Sequence, residues 1–203
     1  MHFVLSRLLP TGPLKSAVLK GSQESGRKKG GAVMFQIEVL NLGWINGDKN
    51  NQEDLCLHGQ ATVTIGSKKL EYEATVSAAA LYLLKSLTED HLINQDNQLL
   101  PCCGFFMIAD DTLENVTVCG CPNGIDWSVL HEGDRVRLIL EEGEEIMIPF
   151  EDYQKEVFQF ADKIEAFYQA SLPRKLPDEE FERKGYQAFW NEWHRRRQDM
   201  NNR

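Results

Sequence analysis

Residues 101–127, PCCGFFMIADDTLENVTVCGCPNGIDW, contain four of the five cysteines of the chain and predict a β-hairpin. An apolar run, residues 105–109, comes before a polar connection, and a β-branched run, residues 115–119, follows it. Runs of this kind joined by a short polar loop are typical of paired strands. Because antiparallel partners keep a constant sum of residue numbers, a turn near Thr112 pairs residues whose numbers add to about 225.

This register brings the cysteine pairs of the stretch together at the open end of the hairpin. The four residues are Cys102, Cys103, Cys119 and Cys121. Cys119 and Cys121 are expected on one face, because side chains alternate along a strand. The sequence therefore places four sulfur atoms in one region.

Three interpretations of these cysteines stay open. Four thiolates at tetrahedral distance would form a structural zinc site, although the spacings C-C and C-x-C differ from the usual pair of C-x-x-C loops. The second interpretation is a disulfide or redox pair, and the third is that the cysteines pack as small apolar side chains. Cys56 and His58 could add ligands, but they are far away in the sequence.

The composition is that of an ordinary globular protein. The 203 residues are 42% hydrophobic and 26% charged, and the chain is long enough for one core. No apolar run approaches the roughly 20 residues that span a bilayer, so we expect no membrane association. An odd number of cysteines, with two of them adjacent, is unlike a secreted disulfide framework and favours a cytoplasmic location.

Charge is distributed unevenly along the chain. Residues 1–33 contain six basic residues and one acid, a net +5, which leaves −14 on the rest of a chain whose formal charge is −9. An acidic body repels phosphates, so we expect no nucleic-acid binding by the folded part. The same charge favours a basic protein partner.

The sequence predicts a disordered basic N-terminal extension, residues 1–33, and a single folded domain, residues 34–203. Glycine, proline and serine are frequent in the extension. From Met34 onward, apolar and polar residues alternate, as in half-buried strands. A pair of such strands meets at Gly66-Ser67, which is typical of a tight hairpin turn.

Helical periodicity is found in three other segments. Leucines and alanines give an apolar stripe over residues 78–90, with Ser77 as the expected N-cap. Residues 151–171 predict an amphipathic helix, and a further helix follows Pro177. That last helix has an aromatic side, which we expect to pack on the sheet or the preceding helix; a partner's groove is the alternative.

After the cysteine hairpin the pattern predicts a β-meander with turns near Gly133 and Gly143. The fold class is therefore α+β: about eight mainly antiparallel strands, one inserted helix and two C-terminal helices that cover the sheet. Strands grouped first and helices last argue against an alternating βαβ protein.

The sequence contains no G-x-S-x-G, G-x-x-x-x-G-K-[ST], G-x-G-x-x-G or H-E-x-x-H motif. We therefore expect a small acidic, non-catalytic protein-binding module without a cofactor, such as an inhibitor or a toxin-neutralising (immunity-type) protein. The candidate surfaces are the aromatic final helix and the acidic edge of the meander, which consists of Glu141, Glu142, Glu144, Glu145, Glu151 and Asp152. The alternative is a zinc- or thiol-dependent protein that uses Cys102, Cys103, Cys119 and Cys121.

Overall fold

The computed structural model describes residues 35–45, 47–48, 51–94, 97–104 and 106–201. In chain order the strands are β1 (Phe35–Gly43), β2 (His58–Ile65), β3 (Lys68–Ala74), β4 (Leu100–Pro101), β5 (Phe106–Ala109), β6 (Val116–Cys119), β7 (Gly124–Ile125), β8 (Trp127–Glu132), β9 (Arg135–Leu140) and β10 (Glu145–Pro149). The helices are α1 (Val76–Lys85), α2 (Phe150–Ala170) and α3 (Glu180–Asn201). The predicted α+β class, with antiparallel sheets, one inserted helix and two C-terminal helices, is confirmed. The predicted extension, residues 1–33, and Phe105 lie outside the described residues.

The strands β1, β2 and β3 form one antiparallel sheet in that order. The strand β2 buries Ala61, Val63 and Ile65 and turns into β3 at Gly66, whose φ is +59°. Glycine adopts this left-handed conformation without steric cost, which explains the tight turn that the sequence predicts. The pairing of β1 with β2 shifts between Leu40 and Gly43, so β1 is irregular at its end.

The predicted meander is the second sheet, in which β9 lies between β8 and β10. Its two turns contain Gly133 and Gly143, with φ values of +66° and +86°. The side chains of Val136 and Leu138 are fully buried, as the alternation of β9 predicts.

The strands β5 and β6 form the cysteine hairpin in the predicted register. Phe106 pairs with Cys119 and Ala109 with Val116. The turn is organised by Asp110, whose carboxylate accepts hydrogen bonds from the side chains of Thr112 and Asn115. The side-chain amide of Asn115 and the other donors lower the pKa of Asp110 to about 2, so the carboxylate is a structural part of the turn.

The helix α1 is the centre of the core and not a surface helix. Every residue from Val76 to Leu84 is buried, so the helix is enclosed by other elements around its whole circumference. It ends at Lys85, five residues before the predicted end. Ser77 is not its N-cap: the cap position is Thr75, and the Ser77 hydroxyl accepts the backbone N–H of Leu57 at 3.1 Å.

The final helix, α3, packs on the cysteine hairpin and on α1, as expected of its aromatic side. Phe189 and Trp193 are fully buried. At Gly185 the helix lies so close to β5 that a Cβ would be 2.1 Å from the carbonyl oxygen of Met107. This close approach fixes the N-terminal end of α3 beside Phe106.

Candidate functional site

Three of the four predicted cysteines meet at the open end of the hairpin. The sulfur atoms of Cys102, Cys103 and Cys121 all lie within 4.8 Å of one another, and each residue is half-buried. Cys102 and Cys121 are joined by a disulfide. The backbone N–H of Cys102 also bonds to the carbonyl of Asn123, which continues the predicted register beyond the strands.

Cys103 is a free thiol beside this disulfide. The backbone N–H of Cys121 donates to its sulfur at 2.9 Å. Gly120 allows this approach, because a Cβ there would be 2.2 Å from the carbonyl oxygen of Cys103. The local backbone therefore holds the Cys103 sulfur within 4.8 Å of both sulfur atoms of the disulfide.

Cys119 and Cys56 stand outside the group of three. Cys119 is the last residue of β6, where it pairs with Phe106. The strand β6 ends at Cys119, so the alternation of side chains along β6 does not extend to Cys121. Cys119 therefore does not belong to the group that contains Cys121, although the sequence predicts that it does. Cys56 is buried with its sulfur 3.5 Å from the Gly104 carbonyl oxygen. Burial, together with the charges of Asp54 and Cys103, raises the pKa of the Cys56 thiol to about 12.

The group of three offers sulfur ligands to a metal only after reduction. Thiolates bind zinc, whereas the sulfur atoms of Cys102 and Cys121 are bonded to each other. With the disulfide reduced, Cys102, Cys103 and Cys121 could supply three ligands to a tetrahedral ion. Neither Cys56 nor His58 belongs to the group; His58 lies at the beginning of β2, opposite Gly43.

A second candidate site is a cleft between β5 and the beginning of α3, which we name the aromatic cleft. Its volume is about 250 Å³. The residues that line it are Glu53, Asp54, Leu55, Cys56, Phe106, Met107, Pro177, Phe181 and Glu182. The rings of Phe106 and Phe181 contact each other with centroids 5.4 Å apart. The cleft therefore combines an aromatic wall with carboxylates at its rim.

The carboxylates of the aromatic cleft are only partly neutralised. Lys175 forms a salt bridge with Glu53 at 3.0 Å. Asp54 accepts the backbone N–H groups of Ile45 and Cys56, which fix its position without cancelling its charge. Glu182 is exposed at the edge. Asp54 and Glu182 therefore leave negative charge at the cleft.

Comparison with protein-family models, curated proteins and solved structures found no match to this chain. Among the residues that the structure describes, no helix has both the length and the apolar character needed to cross a bilayer.

A polar cavity of about 240 Å³ lies at the end of α1. Its polar groups bond to other parts of the protein. The ammonium of Lys85 donates to the carbonyl of Val116 at 2.8 Å, and the hydroxyl of Tyr82 donates to the carbonyl of Val118 at 2.7 Å. The ring of His91 bonds to Asp126 at 2.8 Å. These contacts hold the hairpin and the loop after α1 in place.

Other polar residues near the meander have partners within the fold. Nδ1 of His131 lies 2.8 Å from a carboxylate oxygen of Asp90. At the acidic edge of the meander, Glu142 pairs with Lys68 at 3.0 Å, and Glu144 accepts the Ser67 hydroxyl. The meander edge is thus partly neutralised by the β2–β3 turn.

Sequence reasoning missed the aromatic cleft. Its two rings, Phe106 and Phe181, are far apart in the chain, and they become neighbours only when α3 packs on β5. The proline and the acidic residues before α3 indicate where the helix begins, but they do not indicate what its first turn contacts.

Proposed function

We propose that the protein is a non-catalytic protein-binding module whose aromatic cleft accepts a cationic side chain of a basic partner protein. The observation that carries the proposal is the exposed Phe106–Phe181 ring pair beside carboxylates. Phe106 is 45% exposed and Phe181 42% exposed, although the two rings contact each other. Two adjacent phenyl rings left in water supply apolar area that a partner can bury.

A cationic group suits this cleft better than a purely apolar one. Guanidinium and ammonium groups are attracted to aromatic faces, and Asp54 and Glu182 add negative charge at the rim. The same chain uses this contact within its own fold. Arg174 lies 3.9 Å from the ring centroid of Trp44. An arginine from outside would repeat this contact at Phe106 and Phe181.

Arginine is the preferred anchor over lysine. Its planar guanidinium stacks on a ring and donates to a carboxylate at the same time. The long aliphatic stem would cover the apolar floor near Met107. An inhibitor that captures an exposed arginine of a basic protein would use this arrangement, and we propose an inhibitory or toxin-neutralising role on this basis.

A peptide selection tests whether the cleft recognises arginine. The full chain is immobilised, and peptides are selected from a random library at low salt. We expect the selected peptides to contain arginine next to an apolar residue. Their affinity should fall by about tenfold or more between low and high salt, because exposed charge contacts are screened.

Substitutions in the aromatic cleft test whether the selected peptides bind there. Phe181→Ser and Glu182→Gln should each weaken binding of the selected peptides by about tenfold, the effect of losing roughly 1.4 kcal/mol of binding free energy. Two exposed positions outside the cleft serve as matched controls: Leu40→Ser and Glu141→Gln should bind as the wild type does. Selected peptides without basic residues, or peptides that bind all four variants equally, would contradict the proposal.

A further inference from the structure

We propose that Cys103 and the Cys102–Cys121 disulfide form a thiol–disulfide exchange site that takes thiols as its reaction partners. This inference is independent of the aromatic cleft. It rests on the placement of three sulfur atoms within 4.8 Å, of which two are bonded to each other and one is a free thiol. All three residues are half-buried, so none of them is fully enclosed in the core.

The internal step is an isomerisation that needs no external oxidant. Cys103 loses its proton, and its thiolate attacks the sulfur of Cys121. A Cys103–Cys121 bond forms, the Cys102–Cys121 bond breaks, and Cys102 leaves as a thiolate that takes up the proton. One disulfide and one thiol are present before and after, so atoms and electrons balance. The N–H of Cys121, 2.9 Å from the Cys103 sulfur, holds that sulfur beside the residue that it attacks.

The two pairings are similar in chain entropy. The present disulfide joins residues separated by 19 positions in sequence, and the alternative would join residues one position closer. Loop-closure entropy depends only logarithmically on loop length, so it does not select between the two. A direct Cys102–Cys103 disulfide is disfavoured, because it closes a small ring across a planar trans peptide bond.

The other free cysteines do not compete for this chemistry. Cys56 is buried, and its raised pKa, about 12, keeps it protonated. Cys119 lies in β6 opposite Phe106 and outside the group of three. An external small thiol would react in the same way as Cys103. Its sulfur bonds to one sulfur of the disulfide, and the other sulfur of the disulfide leaves as a thiolate that takes up the proton.

Free-thiol titration of serine variants tests the exchange site. The full chain is purified without reductant, denatured at low pH to stop exchange, and titrated. The wild type should show three free thiols, those of Cys56, Cys103 and Cys119. Cys102→Ser should show two, because dissolved oxygen, the oxidant in a purification without reductant, joins Cys103 to Cys121 and takes up the two electrons. The matched control Cys119→Ser should also show two, with the original disulfide retained.

Disulfide mapping of the wild type is a second measurement, and it does not depend on the folding of any variant. After incubation at mildly alkaline pH, fragmentation between Cys102 and Cys103 should reveal both pairings to Cys121. Added reduced glutathione should form a mixed disulfide in the wild type. Four free thiols in Cys102→Ser, or a single pairing in the wild type at every pH, would overturn the proposal. One bound zinc per chain without a disulfide would also overturn it and would assign the same sulfur atoms to a metal site.

Discussion

At the scale of single residues, the buried carboxylate of Glu192 joins three elements of the described fold. One of its oxygens accepts the backbone N–H of Val116 at 2.8 Å and lies 3.2 Å from the ammonium of Lys85. The other accepts Nε of Arg196 at 2.8 Å. Glu192 thus connects α3 to α1 and to the cysteine hairpin by charged contacts that are removed from water.

We predict that Glu192→Ala lowers the free energy of unfolding by about 3–5 kcal/mol, because the change leaves buried cations and an N–H group without their acceptor. Urea denaturation measures the loss. Glu156→Ala, at a partly exposed position of α2, is the matched control and should change the free energy by less than about 0.5 kcal/mol. A loss as small as that of the control would show that Glu192 is not part of a buried network.

His58 makes stability depend on pH near neutrality. Burial lowers the pKa of its imidazole, and the charge of Asp54 opposes this only in part. As the pH falls, the unfolded chain takes up a proton near its ordinary value of about 6.5, before the folded chain does. The contribution of His58 to the free energy of unfolding is therefore highest above that pH and declines below it.

We predict that His58→Gln removes the part of the loss of stability at falling pH that His58 causes. Urea midpoints at about pH 7.5 and about pH 5.5 should lie closer together in the variant than in the wild type. Equal declines in both proteins would show that His58 titrates alike in the folded and unfolded chains.

At the scale of elements, the contact between α3 and β5 depends on a glycine. A Cβ at Gly185 would lie 2.1 Å from the oxygen and 2.8 Å from the carbon of the Met107 carbonyl, both of them backbone atoms. Alanine is a better helix former than glycine by about 1 kcal/mol, but overpacking costs about 1–3 kcal/mol. Because the clash is with backbone, which cannot rotate away, Gly185→Ala should lower the free energy of unfolding.

The same helix supplies the control for this prediction. Gln187→Ala, on the exposed side of α3, gains helix propensity without a new contact and should be neutral or slightly stabilising. If Gly185→Ala is as stable as Gln187→Ala in urea denaturation, the close approach of α3 to β5 is not present. Displacement of α3 would also separate Phe181 from Phe106, so the Gly185 variant should bind the selected peptides more weakly.

The elements that the sequence predicts best are those specified by local chemistry. The hairpin register follows from the turn that Asp110 organises, and the meander follows from Gly133 and Gly143. The interior of α1 shows the limit of such reasoning. Its apolar stripe predicts one buried side, whereas enclosure by α2, α3 and other elements buries every side. Burial by distant segments is a tertiary effect that periodicity does not contain.

The candidate sites are likewise predictable where local sequence specifies them, and not where distant segments must pack together. The meeting of Cys102 and Cys103 with Cys121 is predictable, because it continues a strand register. The placement of Cys119 outside that group is not, because it depends on where β6 ends. In the same way, Arg196 looks like a cation at a helix end, but the fold buries it against Glu192 and Thr88. Such partners become neighbours only after the helices pack.

At the scale of the whole molecule, acidic charge and exposed aromatic area coincide at one place. Residues after position 33 carry a net charge of −14. At the acidic edge of the meander, Lys68 forms a salt bridge with Glu142 and offsets part of the negative charge. The aromatic cleft keeps Asp54 and Glu182 beside exposed rings. Long-range attraction would bring a basic protein to the surface, and the cleft would hold its anchor.

Binding at the aromatic cleft is tested most directly by an NMR titration of the full, isotope-labelled chain with the tightest peptide from the selection. If the peptide binds there, backbone amide shifts should change most at Phe106 to Ile108 and at Asp178 to Arg183, with little change in the acidic edge of the meander. Shift changes concentrated at residues 141–152, or spread over the surface without a maximum at Phe106 and Phe181, would contradict the aromatic cleft as the binding site.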